Sequence, residues 1–291
     1  MAKVTEHTAS TGNRLSIICD FSPPRGGDAA LLADVASLDA DFVSVAYNPG
    51  LSVRVNSAMT AAWVKSQTDR DVVFTLATRD MNKVAVQSLL LGAQLLGVEN
   101  VVVVKGDPLS ERDSQRFRAV DDYTPTGLIR SIIDMNGGID LRGLKLRAAT
   151  DFCVGATIDL ARDLDAELAL TRQKVEAGAQ FFLAQPTFDP GVVLRFMDRY
   201  VAQFGEALEA PVFHGIQVMA PESIRFGDIP DWVTNDLDSG RPGEEIALEV
   251  WQRYIDAGLL LAYLIPPILR GGRRDYAAAQ RAISLARQSW P

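Results

Sequence analysis

Between residues 75 and 108 the chain runs TLATRDMNKVAVQSLLLGAQLLGVENVVVVKGDP. Two short β-branched segments enclose a longer amphipathic one. Val72–Ala77 and Val101–Val104 read as strands, and 83–97 reads as a helix. Val84, Leu91 and Leu95 recur there at helical spacing, with Gly97 placed as a C-cap. The run VVVV at 101–104 carries no polar alternation, so both faces of that strand are expected to be buried, as in a parallel sheet covered by helices. Turn residues follow each strand, as TRDMN and KGDP. The unit is therefore strand, polar loop, helix, strand.

The same alternation extends in both directions. The remaining candidate strands are Leu15–Cys19, Phe42–Ala46, Lys145–Ala149, Phe181–Ala184, Val212–Ile216 and Leu260–Ile265, and further helices are read at 162–177 and 243–257. Eight repeated βα units predict a single (β/α)8 barrel over residues 14–291, with 1–13 as a flexible lead. An open doubly wound sheet is the competing architecture, but no GxGxxG turn follows the first strand. Clusters of Gly, Pro and Asp follow the strands: DFSPPRGGD, YNPG, AQPTFDP and IPP join the two above. In a barrel these loops build the active site, so their polar residues are functional candidates. The long connections 106–123 and 219–243 are expected to act as lids.

The chain has 291 residues, 47% of them hydrophobic, enough for one large core. A formal charge of −8 without a block of like charge argues against a nucleic-acid partner. The longest apolar run, Leu259 to Ile265, is too short to span a bilayer, and the start lacks a basic segment followed by an apolar one. A soluble cytoplasmic protein is expected. Cys19 and Cys153, both read as strand residues, are expected to be buried thiols, and two cysteines with two histidines make a dedicated zinc site improbable.

The order of RDMN at 79–82, LGVEN at 96–100 and GDP at 106–108 resembles the third and fourth βα units of methylenetetrahydrofolate reductases. Three further pieces match in order. DFSPPRGG at 20–27 is similar to the family's E-x-x-PP-x-G, AQPTFDP at 184–190 to its TQPxFD, and YLIPP at 263–267 to the last-strand ending of a bacterial and acetogen-type branch. The resemblance covers roughly residues 15–285. It implies an oxidoreductase that interconverts 5,10-methylenetetrahydrofolate and 5-methyltetrahydrofolate by hydride transfer through a flavin, FAD more readily than FMN, with NAD(P)H as reductant, in the one-carbon supply to methionine. A flavin-free variant using nicotinamide directly is the alternative.

Roles follow position by position. The resemblance makes Asp20 the catalytic acid and Asp107 the electrostatic partner of flavin and pterin, with Gln185, Phe188 and Tyr47 on the substrate. It assigns cofactor contacts to Thr75, Arg79, Asp80, Asn82, Lys105, Gly106, Thr150, Glu167 and Arg172. Opening the five-membered ring of methylene-folate requires a proton on the departing nitrogen, which a carboxylic acid can supply. The family has glutamate where this chain has Asp20, about 1.5 Å shorter in reach. The flavin contacts also depart from the pattern: Ala46-Tyr47 replaces Thr-Tyr, Thr75 replaces a histidine, and Thr150 is read at a fifth-strand aromatic position. Glu167 and Arg172, on a predicted helix, compete with an ordinary solvated role. His214 is read as a structural strand histidine. The stretch RGGRR at 270–274 is either a solvated loop or a partner for a folate glutamate tail or a cofactor phosphate. A folate-dependent methyltransferase and a degenerate partner subunit of a redox complex remain alternatives, and a homo-oligomer is possible.

Overall fold

The computed structural model of the chain describes residues 2–12, 14–224 and 228–290. Eight parallel strands close into a barrel in chain order, as the repeated βα reading expects. The elements run α1 (Val4–Thr11), β1 (Ser16–Phe21), a 3-10 segment (Ala29–Ser37), β2 (Phe42–Val45), α2 (Ser57–Gln67), β3 (Asp71–Ala77) and α3 (Lys83–Leu95). They continue through β4 (Asn100–Val104), the short α4 (Glu111–Ser114), α5 (Pro125–Asn136), β5 (Cys153–Ile158), α6 (Leu164–Glu176), β6 (Phe181–Pro186) and α7 (Pro190–Phe204). The last elements are β7 (Val212–Gln217), α8 (Asp231–Asp238), α9 (Gly243–Asp256), β8 (Leu261–Ile265) and α10 (Tyr276–Ser289). Pairing of Ser16–Cys19 with Leu261–Leu264 closes the ring. None of the described helices is long and apolar enough to cross a membrane.

Each strand divides its residues between two cores, because side chains alternate faces with period two. Ile18, Phe42, Val73, Val102, Phe181, Leu183 and Phe213 fill the barrel interior. Ile17, Val43, Val72, Phe74, Val101, Val154, Phe182 and Ile216 point outward and pack under the helices. Phe181 lays its ring over Gly155, its register partner on the neighbouring β5. A Cβ on Gly155 would stand 2.4 Å from its ring, so this layer requires glycine there.

Three expectations are corrected. The fifth strand is Cys153–Ile158, whereas Lys145–Ala149 lies in the loop after α5, its Lys145 held by a bridge to Ile139. KLRAA would place Lys145 and Arg147 in a strand buried on both faces, whereas CVGATI carries no charge. Residues 4–11 form α1 rather than a loose lead. Val4 is fully buried against the barrel floor, and its amide donates to Asn100 Oδ1 at 3.0 Å. On α3 the buried stripe is Val86, Leu90 and Ala93, while Val84, Leu91 and Leu95 face outward. Gly97 does follow the helix end with a positive φ of 68°.

Of the long connections, 106–123 contains α4 and returns to the barrel, where the Val120 amide donates to the Arg79 carbonyl at 2.7 Å. The 219–243 connection contains α8, and its residues 225–227 lie outside the described residues. Cys19 and Cys153 are buried free thiols in β1 and β5.

Candidate active site

The inward alternation that builds the floor also supplies the mouth. Two positions beyond Ile18 on β1 is Asp20, two beyond Val73 on β3 is Thr75, and two beyond Leu183 on β6 is Gln185. By the same count Thr157 of β5 follows Gly155, Gln217 of β7 follows Gly215, and Tyr263 of β8 follows Leu261. These residues line two adjoining cavities at the strand C-termini. The central one, about 340 Å³, is bounded by Asp20, Tyr47, Thr75, Lys105, Gly106, Asp107, Thr157, Arg162, Gln185 and Tyr263. The second, about 270 Å³, shares Asp20, Gln185 and Tyr263 and adds Gln217, Ile265 and Arg274.

Asp20 is 5% exposed and is held through both oxygens. The Tyr263 hydroxyl donates to Oδ1 at 3.1 Å and Arg274 Nε donates to Oδ2 at 3.3 Å. Burial, and then the Asp20 charge, push the Tyr263 phenol well above its ordinary value, so it keeps its proton across the neutral range. Beneath this group the Ser22 amide donates to Tyr276 Oη at 2.8 Å, and the Phe21 and Tyr276 rings stack at 4.8 Å, fixing the loop that follows β1.

Across the mouth, Asp107 follows Gly106, whose φ of 88° suits glycine. Asp107 Oδ2 accepts the Gly50 amide at 3.2 Å, which joins the loops after β4 and β2. Arg79 holds Asp80 with two bonds of 2.5 and 2.6 Å and donates to the Asp107 carbonyl at 2.7 Å. The RDxN element is thus a brace for the loop carrying Asp107. Its Asn82 caps α3 by accepting the Ala85 amide at 2.9 Å. Tyr47, pushed up to about 12 by burial and then by Asp80, lies between this brace and the central cavity.

Gln217 is one of the residues that sequence reasoning missed. It is 5% exposed, ends β7 and faces the second cavity, and neither its amide nitrogen nor its carbonyl oxygen has a hydrogen-bond partner. A buried amide left wholly unpaired is expensive. Here a ligand with a complementary donor and acceptor edge would satisfy it, beside the exposed amide of Gln185. Period two counted from Phe213 would have placed Gln217 at the mouth. Tyr263, Thr157, Arg162 and Arg274 join the site for the same reason of topology.

The other expected residues divide. Thr75, Lys105 and Gly106 line the central cavity together. Phe188 is 9% exposed and belongs to the core outside the barrel, lining neither mouth cavity. Thr150 precedes β5, at the end of the barrel opposite the mouth, where its hydroxyl donates to Asn136 Oδ1 at 2.8 Å; Thr157 occupies the place expected of it. Glu167 is buried rather than solvated: its Oε1 accepts the Asp159 amide at 3.2 Å and lies 3.4 Å from Lys174 Nζ, roofed by Arg162. Arg172 points away from the mouth, pairing with Glu176 and Glu206 and covering the Phe204 ring. The contacts present therefore fit the ring of a flavin or nicotinamide. They do not supply the ribose and phosphate contacts that the resemblance assigned to Glu167 and Arg172. His214 faces outward from β7 toward Tyr254, with ring centroids 5.8 Å apart, as a structural residue.

A closed parallel barrel with carboxylates, two amides and a phenol converging at its strand C-termini defines a (β/α)8 protein for a small polar ring ligand. The chain belongs to the methylenetetrahydrofolate reductase family, whose sequence model matches residues 3–238. A 5,10-methylenetetrahydrofolate reductase of Pectobacterium carotovorum is 23% identical over 248 residues, covering 81% of this chain and 77% of its own length. That of Salmonella typhimurium is 22% identical over 270 residues, covering 85% and 84%. Among solved structures, an uncharacterised Clostridium thermocellum protein that binds two copies of 5-methyl-5,6,7,8-tetrahydrofolic acid superposes with a TM-score of 0.68. Its identity is 11%, with 98% of this chain and 99% of that one covered, a likeness of fold.

Proposed function

We propose that this protein is an oxidoreductase interconverting 5,10-methylenetetrahydrofolate and 5-methyltetrahydrofolate. The observation that carries the reading is the facing arrangement of the Asp20–Tyr263 pair and the Gln185 and Gln217 amides around one mouth, in a chain of this family. The two amides pair with the donor and acceptor edge of the pterin. Asp20 relays a proton taken up from solvent to the nitrogen that departs when the imidazolidine ring opens, leaving an iminium at the other nitrogen, and its carboxylate returns to Tyr263 and Arg274. Asp107 faces that cation from across the cavity and stabilises it. Hydride addition to the iminium carbon gives the methyl group. A reduced flavin or a reduced nicotinamide supplies that hydride, with NAD(P)H as the source of electrons. A direct nicotinamide donor is the second reading, favoured by the outward orientation of Arg172.

The test is anaerobic. The purified protein, with and without added FAD or FMN, is mixed with 5-methyltetrahydrofolate and, separately, methylene-folate is supplied with NADH or NADPH. Bleaching of a bound flavin supports the flavin relay, and folate-dependent NAD(P)H oxidation without flavin supports the direct route. A protein that binds methyl-folate yet passes no hydride under either condition rejects the reductase reading in favour of a methyltransferase. Asp20→Asn is expected to lower folate reduction at least about a hundredfold while leaving folate binding in place. Asn is the cleaner substitution, because Ala would strand Arg274, whose side chain is 7% exposed.

A further inference from the structure

Glu167 and Arg172 are taken up by Lys174 and by Glu176 and Glu206, which leaves the far end of a dinucleotide donor to be held elsewhere. On another side of the mouth is a cavity of about 340 Å³. Leu51 and Val53 from the loop after β2, Arg79 and Asp80 from the loop after β3, and Phe117 and Arg118 from the connection after β4 line it. Tyr47 lines both this cavity and the central one, so the two adjoin. The amides assigned to the pterin, Gln185 and Gln217, belong to β6 and β7, across the ring of strands.

Val53 is 82% exposed and Phe117 41%, so two loops leave apolar surface in water around one space. Single exposed apolar side chains are ordinary, whereas several on one ligand-sized cavity mark a place that an apolar ring would cover. Leu51 adds a third apolar group from a left-handed backbone, φ 58°, which a bulky residue rarely adopts. Both walls are anchored. Asn48 Oδ1 accepts the Arg54 amide at 3.1 Å, and the Phe117 amide donates to the Asp113 carbonyl at 3.0 Å. The polar groups suit a nitrogenous ring. Asp80 is charge-compensated by Arg79 and keeps lone pairs for an exocyclic amino group, and the exposed guanidinium of Arg118 can stack on a planar system.

We propose that this cavity takes the adenine base of the dinucleotide that brings the reducing equivalents, with the reactive ring in the central cavity beyond Tyr47, an assignment that rests on the hydride-transfer reading. Two donors carry that base, FAD and NAD(P)H, and each has a counterpart without it, FMN and reduced nicotinamide mononucleotide. The experiment is calorimetric titration with ADP-ribose, which has the base and both phosphates but no redox ring. It is run for the wild type, Phe117→Ala, Val53→Asp and Arg172→Gln. Phe117 and Val53 are exposed, so neither change removes a core contact.

Binding by the wild type, weakened about tenfold in Phe117→Ala and Val53→Asp, is expected, the loss of about one base–aromatic stack. No binding by the wild type, equal binding by the wild type and Phe117→Ala, or a loss confined to Arg172→Gln, which would put the base on α6, overturns the subsite. The mononucleotides identify the source. A Phe117→Ala effect on the affinity for FAD but not FMN points to the flavin, and one on the KM for NADH but not for reduced nicotinamide mononucleotide points to the nicotinamide donor. An equal effect on a dinucleotide and its mononucleotide also overturns the subsite. ADP-ribose contains neither a pterin nor a hydride. Phe117-dependent binding by a protein that passes no hydride to folate would therefore refute the reductase reading alone, and hydride transfer without ADP-ribose binding would refute the subsite alone.

Discussion

Two buried side chains at the mouth, Gln217 and Asp20, differ in how their polar atoms are satisfied. Asp20 is internally complete, with Tyr263 and Arg274 as partners, whereas Gln217 has none. An unpaired buried amide costs the folded protein and benefits only a ligand complex. Gln217→Leu, which keeps the volume and removes the unmet polar atoms, is therefore expected to leave the melting temperature unchanged or raise it by a few degrees. The same variant should weaken binding of 5-methyltetrahydrofolate about tenfold, read by fluorescence titration. A large loss of stability with binding intact would remove Gln217 from the site.

At the scale of the element, β7 shows how one strand serves two functions. Gln217 faces the mouth and His214, on the other face, packs toward α9. Burial pushes His214 down to about 4, and its Nδ1 has no partner. The unfolded chain titrates near the ordinary histidine value of about 6.5, so between these two values the unfolded state binds more protons than the folded one. Stability contributed by the neutral ring is complete above about pH 6.5 and declines as pH falls toward 4, by on the order of 3 kcal/mol in all. Urea denaturation across pH 4 to 7 should show this slope, and His214→Phe should flatten it. An unchanged slope in the variant would mean that another group governs the acid response.

For the whole molecule, the barrel has a closed floor and an open mouth. α1 seals the floor: Val4 joins the interior cluster that holds Ile18, Phe42 and Val73, and the Asn100 amide group donates to the Ala2 and Val72 carbonyls. Removal of residues 1–11 exposes that interior apolar layer. The truncated protein is expected to melt several degrees lower while retaining its folate affinity, since the ligand groups lie at the opposite end of the strands. Retention of the full melting temperature would show that α1 contributes no stability.

The barrel was legible in the chain because its signal is local and repeated. Turn clusters fell after strands, apolar runs such as VVVV at 101–104 demanded burial on both faces, and the spacing of RDMN, GDP and AQPTFDP carried the family resemblance. The fifth strand was misread because KLRAA and CVGATI lie eight residues apart, and only the requirement for a charge-free, doubly buried strand separates them. Several site partners were not legible, because they arise from closure of the ring. Tyr263 meets Asp20 across 243 positions of sequence, and Arg274 meets it across 254. Arg172 and Thr150 were displaced for the same reason: a helix face and a strand end are assigned by packing. Local composition and periodicity specified the strands and their loops. Which side chains share the mouth, and which polar groups are left for a ligand, was set by the register in which eight strands close, a long-range constraint that no single segment contains.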